Sequence, residues 1–167
     1  MAEFGIRIRN SRTDHENDPG HMAVFWQINT KLTFRGYYFR ITDLPPSKRN
    51  CSEWRSFLLN ATVPGYIEND TRLRDDYEHR PEMLIGRNWD VPEAKDVDRL
   101  EVTCRPRQAG QYTFNPDTFP GSNNCVTWAV DVTNGILGPV LQRPRQGRIK
   151  EIILQIQASP QIDGKNE

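Results

Sequence analysis

The sequence predicts a mixed fold, with strands and helices in one domain. Three observations predict it. Phe4-Gly5-Ile6-Arg7-Ile8-Arg9 alternates apolar and basic residues, the period of a half-buried strand. Met22 to Ile28 and Phe34 to Ile41 are apolar runs separated by a polar turn at Asn29 to Leu32, which is a hairpin pattern. Late in the chain, Val126, Ala129, Val130 and Thr133 recur at helical spacing behind the capping run Ser122-Asn123-Asn124.

Taken in order, the elements are these. Phe4 to Arg9 is a first strand, and the polar, acidic, turn-rich stretch from Ser11 to Gly20 is a loop. The hairpin follows, and Asp43 to Lys48, with Pro45-Pro46, closes that unit. From Cys51 to Ala61, Trp54, Phe57, Leu58 and Ala61 favour a short helix over a strand. Val63 to Arg80 is charged and irregular, with a turn at Pro64-Gly65, and is expected to cross an edge or lid a site. Glu82 to Trp89 includes a short strand. Pro92 to Arg105 is helical, with Pro92 suited to a first turn and Val97, Leu100 and Cys104 on one face. Pro106 to Gly121 is expected to be a loop leading to the cysteine helix, which Gly135, Gly138 and Pro139 stop. Arg148 to Gln157, β-branched and polar by turns, is expected to be a final strand. Residues 1–158 are thus expected to form a single domain and 159–167 a flexible tail.

Composition removes several classes of function. Lys plus Arg and Asp plus Glu are balanced at 22 each, so no general attraction to nucleic acid or a membrane surface follows. Arg143, Arg145, Arg148 and Lys150 cluster, but such a run is ordinarily a solvated face. No apolar run is long enough for an integral membrane segment, and no signal peptide is evident. A soluble protein is expected, with any export by a non-classical route. Three cysteines, Cys51, Cys104 and Cys125, do not make a disulfide framework, and their spacing is not that of a zinc site. No phosphate-binding glycine loop is present, so no cofactor is expected.

Cys125 stands apart from the other two cysteines. It falls in the first turn of a helix, where the macrodipole and unpaired N–H groups lower a thiol pKa and can hold an oxyanion. That context suits a thiolate nucleophile if a base stands opposite. Cys104, in an apolar helical stripe, reads as a small buried hydrophobe, and Cys51 as structural or incidental.

The base is usually His. His15 lies in the acidic loop and His79 in a charged segment, whereas His21 opens a strongly apolar strand and can point repeatably across a groove. A third polar group usually orients the imidazole. Tyr38, Arg40, Thr42 and Asp43 all lie where the returning strand would pass His21, and the sequence leaves that choice open. Trp128, close behind Cys125, reads as core or cleft wall.

Gly20-His21-Met22-Ala23-Val24-Phe25, Gly36-Tyr37-Tyr38-Phe39, Tyr112-Thr113-Phe114-Asn115 and Asn123-Asn124-Cys125-Val126-Thr127-Trp128-Ala129, in that order, resemble the circularly permuted branch of papain-like thiol hydrolases. This branch includes permuted relatives of NlpC-type peptidases and the lecithin–retinol acyltransferase-like proteins. The resemblance spans roughly residues 4–157, and two short motifs within it are specific. It implies an α+β fold in which a small antiparallel sheet carries the His and packs against a helix whose N-terminus carries the Cys. It implies an acyl-enzyme on Cys125 with His21 as base. In that branch the orienting residue is often His, Asn, Asp or Gln on the neighbouring strand, and none falls cleanly there in this chain.

The resulting expectation is a cysteine hydrolase of amide bonds in a peptide, isopeptide or cell-wall peptide. A secreted toxin or effector, with a cognate inhibitor protein as partner, would suit such a chain. The alternatives are an acyltransferase of the same fold, acting on an acyl substrate, and a non-catalytic binding module that presents Tyr37, Tyr38, Trp54 and Trp89.

Overall fold

The computed structural model describes residues 2–9, 20–91 and 94–158. The expected loop at Ser11 to Gly20 (up to residue 19), with His15, the first-turn role of Pro92 and the tail 159–167 lie outside the described residues. The fold is α+β, with a seven-stranded sheet and five helices among the described residues. The strands are β1 (Ala2–Arg9), β2 (His21–Ile28), β3 (Lys31–Tyr38), β4 (Val63–Asn69), β5 (Ile85–Val91), β6 (Arg107–Tyr112) and β7 (Ser122–Asn123). The helices are α1 (Cys51–Leu59), α2 (Thr71–His79), α3 (Ala94–Thr103), α4 (Cys125–Leu137) and α5 (Ile149–Ala158). The sheet order is β5-β1-β2-β3-β4-β6-β7, antiparallel throughout except for the β6–β7 pair. No helix among the described residues is long and apolar enough to cross a membrane.

Strand alternation divides the core in two. Phe4, Ile6 and Ile8 of β1 and Met22, Val24 and Trp26 of β2 are fully or almost fully buried on one face, in one cluster with α3, α4 and α5. The opposite face is smaller: Ala23, Phe25 and Phe34 pack with Leu73 and Tyr77 of α2. The hairpin between β2 and β3 turns on two residues, Asn29-Thr30, and Asn29 takes a left-handed φ of 55° that Asn tolerates. In α4 the expected apolar face is buried, Val126, Ala129, Val130 and Thr133 included, and Gly138 ends the helix at φ 87°. In α3, Val97, Leu100 and Cys104 are buried together, as expected.

Three expectations are corrected. Arg148 to Gln157 forms helix α5, not a strand. Ile149, Ile152, Ile153 and Ile156 follow the helical spacing, and the last turns pack that stripe against the main core. The β-branched composition that suggests a strand is a packing preference, and a helix lying on the core satisfies it. Val63 to Arg80 is regular, not irregular: it forms β4 and α2. The buried side of α2 includes Asp76, bonded to Arg80 at 2.7 Å, so an apolar period could not reveal it. Pro106 to Gly121 contains β6, whose mostly exposed residues lack strand alternation. It is held by backbone pairing to β4 on one side and β7 on the other.

Candidate active site

The geometry of the site begins with a split in the sheet. The β2–β3 ladder ends at Val24↔Arg35. Beyond it, β2 continues to pair with β1 as far as Arg9↔His21, and β3 continues to pair with β4 as far as Tyr38↔Tyr66. The two central strands therefore part at the end where β2 starts. The Met22 N–H is freed from the ladder there and donates to the sulfur of Cys125.

Cys125 is delivered to that gap by its cap. Asn124 Oδ1 accepts from the N–H groups of Val126 and Thr127, each at 2.9 Å, while the Asn124 N–H donates to Thr127 Oγ1 at 3.0 Å. This reciprocal capping box fixes the first turn of α4. Asn124 Nδ2 in turn donates to the Gly147 carbonyl at 2.9 Å. Gly147 lies at φ 60°, and a Cβ there would run into the Asn124 amide. The parallel β6–β7 pairing sets Tyr112 opposite Asn123, which puts the Tyr112 hydroxyl beside Cys125, bonded to both its backbone N–H and its side chain.

His21 faces Cys125 and hydrogen-bonds it. Its Nε2 donates to Asp70 Oδ2 at 2.5 Å, which leaves Nδ1 for the sulfur. Asp70 has a fully buried side chain, and its other oxygen, Oδ1, accepts the Leu73 N–H at 3.1 Å as the N-cap of α2. One carboxylate thus starts a helix and orients the imidazole. Tyr38 stacks on His21 with ring centroids 4.8 Å apart and donates its hydroxyl to Asp70. Gly36 makes this approach possible: a Cβ there would lie 2.5 Å from Asp70 Oδ2 and 3.2 Å from His21 Nε2.

The electrostatics agree with the geometry. Burial alone would push the His21 pKa down, but the Cys125 sulfur and the Asp70 carboxylate outweigh it and raise it to about 10. Burial alone would push the Cys125 thiol up, yet the His21 cation and the Met22 N–H bring it below its ordinary value. Asp70 is lowered because its bonds to His21, Tyr38 and Leu73 overcome its burial. Both shifts act in the same direction, toward holding the shared proton on His21 rather than on Cys125. Cys104 is the contrast: burial pushes its thiol up to about 12, which leaves it inert.

Of the residues that the sequence singled out, Cys125 and His21 come together. Cys125 is more enclosed than an open groove would leave it, at 7% exposure, while the His21 side chain retains 16%. Among the four candidates for the orienting group, none accepts the imidazole bond. Tyr38 covers the ring, Arg40 pairs with Glu68 at 3.1 Å, Asp43 accepts from the Tyr66 hydroxyl at 2.7 Å, and the Thr42 carbonyl takes a bond from Arg49. Asp70 does it instead, from the N-cap of α2. Its signal was an N-cap before Thr71-Arg72-Leu73, a motif that reports a helix start and says nothing of His21. His79 is exposed and bonds Asp75 within α2. Trp128 is core, stacked on Tyr37 at 5.9 Å. Tyr37 is 2% exposed, which removes it from the aromatic surface expected of a binding module. Among the described residues, no three His, Cys, Asp or Glu side chains gather as a metal site.

No family model, no curated protein and no solved structure matches the chain.

Proposed function

We propose that this protein is a cysteine hydrolase of amide bonds, built on a permuted papain-like arrangement in which Cys125 is the nucleophile, His21 the general base and acid, and Asp70 the residue that orients His21. The observation that carries this reading is the convergence of three side chains from β2, the cap of α2 and the first turn of α4 on one buried proton-sharing chain. A purely structural cysteine needs no cationic imidazole partner and gains nothing from a carboxylate behind it.

The steps follow from the geometry. The Cys125 thiolate attacks the carbonyl carbon of the substrate, a C–S bond forms, and the carbonyl oxygen takes the negative charge. The Cys125 N–H and the Tyr112 hydroxyl, which bond each other and the sulfur before the reaction, are the donors beside that oxyanion and serve it by exchanging those bonds for bonds to the oxygen. Each such donor lowers the barrier by roughly 3–4 kcal/mol. The C–N bond then breaks and the leaving nitrogen takes the proton from His21. Neutral His21 next accepts a proton from water, whose oxygen attacks the thioester, releases the acid and restores the thiolate. Asp70 keeps the Nε2–H donor fixed throughout, so that Nδ1 stays aimed at the reaction.

The test is alkylation by iodoacetamide at neutral pH, read by intact mass and peptide mapping. Cys125→Ala is expected to abolish the fast labelling, and Cys51→Ala and Cys104→Ala to keep it. Equal labelling of all three variants would overturn the reading.

A further inference from the structure

Three side chains from separate parts of the chain meet at one point beside Cys125, and the chemistry above uses only two of them. A Cβ at Gly36 would lie 2.5 Å from Asp70 Oδ2, 3.0 Å from Tyr38 Cε2 and 3.2 Å from His21 Nε2, so carboxylate, phenol and imidazole surround the bare Gly36 Cα. Tyr38 makes two contacts there. Its ring stacks on His21 with the centroids 4.8 Å apart and the planes at 30°. Its hydroxyl donates to Asp70. The Asp70 side chain is fully buried, so the Tyr38 hydroxyl, the Leu73 N–H and the His21 Nε2–H satisfy it in place of water. Burial and the carboxylate hold the Tyr38 hydroxyl well above its ordinary range, so it stays a donor throughout the range in which Cys125 and His21 titrate.

We propose that Tyr38 is a positioning residue that acts through Asp70: its hydroxyl takes up part of the carboxylate's charge and so limits how tightly His21 holds the proton that it gives to the leaving nitrogen. The proposal rests on the hydrolase reading given above. A hydrogen bond to a carboxylate stabilises its charged form and makes it a weaker acceptor for any other donor. Asp70 raises the proton affinity of the imidazole, which favours the thiolate before attack but opposes the proton transfer that releases the amine. Each further pH unit of affinity costs about tenfold in the equilibrium of that transfer. A carboxylate shared between His21 and Tyr38 keeps the ring oriented without holding its proton too firmly. The other titratable groups facing this end of the sheet are Cys125 and Tyr112 at the sulfur and Arg72 in the first turn of α2. Arg9 stands opposite His21 in the β1–β2 register, and Tyr66 and Glu68 stand opposite Tyr38 and Gly36 in the β3–β4 register. All of these are common to the native chain and to a variant that lacks one oxygen, so a difference between the two belongs to the hydroxyl.

The experiment measures the pH profile of Cys125 alkylation by iodoacetamide, in which a C–S bond forms and iodide leaves, together with the ring-nitrogen NMR shifts of His21. Tyr38→Phe keeps the stacked ring and removes the hydroxyl. It is expected to move the alkylation midpoint down by about half a pH unit and the His21 midpoint up by a similar amount. That direction is opposite to the one expected of Asp70→Asn, and a ring that merely loosened the pair would move the alkylation midpoint up. Because the hydroxyl acts through the carboxylate, Tyr38→Phe is expected to shift neither midpoint in an Asp70→Asn background. Tyr66→Phe is the control: its hydroxyl donates to Asp43 at 2.7 Å, and both midpoints are expected to stay in place. An unmoved or raised alkylation midpoint in Tyr38→Phe, or an equal shift with and without the Asp70 carboxylate, overturns the role of Tyr38, while fast labelling of native Cys125 keeps the hydrolase reading. Slow, ordinary-thiol labelling of Cys125 in the native chain overturns both.

Discussion

At the scale of single residues, the site depends on Asp70 doing two jobs. Its Oδ1 caps α2 and its Oδ2 holds His21. Substitution can separate them. Asn is as good an N-cap as Asp, so Asp70→Asn retains the helix start but removes the charge that, next to the Cys125 sulfur, raises the His21 pKa. Asp70→Asn is expected to leave thermal stability near that of the native chain, to move the pH midpoint of Cys125 alkylation up toward the ordinary thiol value of 9.0, and to lower kcat/KM by about 10²-fold or more. Asp70→Ala is expected to do the same and, in addition, to lose roughly 1 kcal/mol of stability through the missing cap. A pH–rate profile of alkylation and a urea melt on each variant check both expectations. An unmoved midpoint in Asp70→Asn would rule out the orienting role. The same scale explains what the sequence concealed. Cys125 was legible because capping is local, with Asn124 beside it. The partnership of Asp70 with His21 was not, because it depends on Gly36 leaving a gap between two strands that are not sequence neighbours of Asp70.

At the scale of elements, α4 is held by its N-terminal box, and the box is what aims the sulfur. Thr127 is fully buried, and its hydroxyl is the acceptor for the Asn124 N–H. Thr127→Val preserves shape and removes that acceptor, leaving a buried donor unpaired. The expected cost is roughly 1–3 kcal/mol by urea unfolding, with a fall in the alkylation rate of Cys125 smaller than that of Asp70→Asn. A native melting profile in this variant would mean that the box does not hold α4. Elements also show where reading a sequence by composition misleads. The stripe in α5 carries a helical period, but β-branched isoleucines mimic a strand, and only the core surface waiting for that stripe decides between them. In α2 the buried Asp76 replaces an apolar residue, so the period is broken by a charge that Arg80 satisfies. The strand β6 carries almost no alternation and is defined by its two pairing partners.

At the scale of the whole molecule, the charge couple links folding to pH. His21 moves from 6.5 unfolded to about 10 folded, so its contribution to stability is fully present below about 6.5 and is lost as pH rises through about 10. Cys125 moves down from 9.0, so its contribution is present above 9.0 and is lost as pH falls through its lowered value. Between the lowered Cys125 value and 9.0 the two slopes oppose, because the folded chain keeps on His21 the proton that the unfolded chain keeps on Cys125. Above 9 only the loss from His21 remains. The free energy of unfolding, measured in urea at pH 7, 8, 9 and 10, is therefore expected to carry a contribution from the couple that falls above 9 by up to about 1.4 kcal/mol per pH unit. Cys125→Ser removes this contribution, and the difference between the two curves isolates it from the tyrosines and lysines that titrate in the same range. Parallel curves for the two proteins would mean that no ion pair exists in the native state.

The sequence by itself determined the local features: the first hairpin, the capped helix behind Asn124, the helices α1 and α3, and the suitability of Cys125 and His21 for thiol chemistry. Each is set by residues within a few positions of one another, where capping, turn chemistry and apolar period act. Only the tertiary structure decided that β2 and β3 part at Val24, that Asp70 rather than Tyr38, Arg40, Thr42 or Asp43 receives the imidazole, and that Tyr112 arrives beside the sulfur. Those outcomes join segments far apart in the chain. What joins them is the burial of apolar faces and the satisfaction of backbone donors across a whole sheet, a condition that no short window of sequence contains.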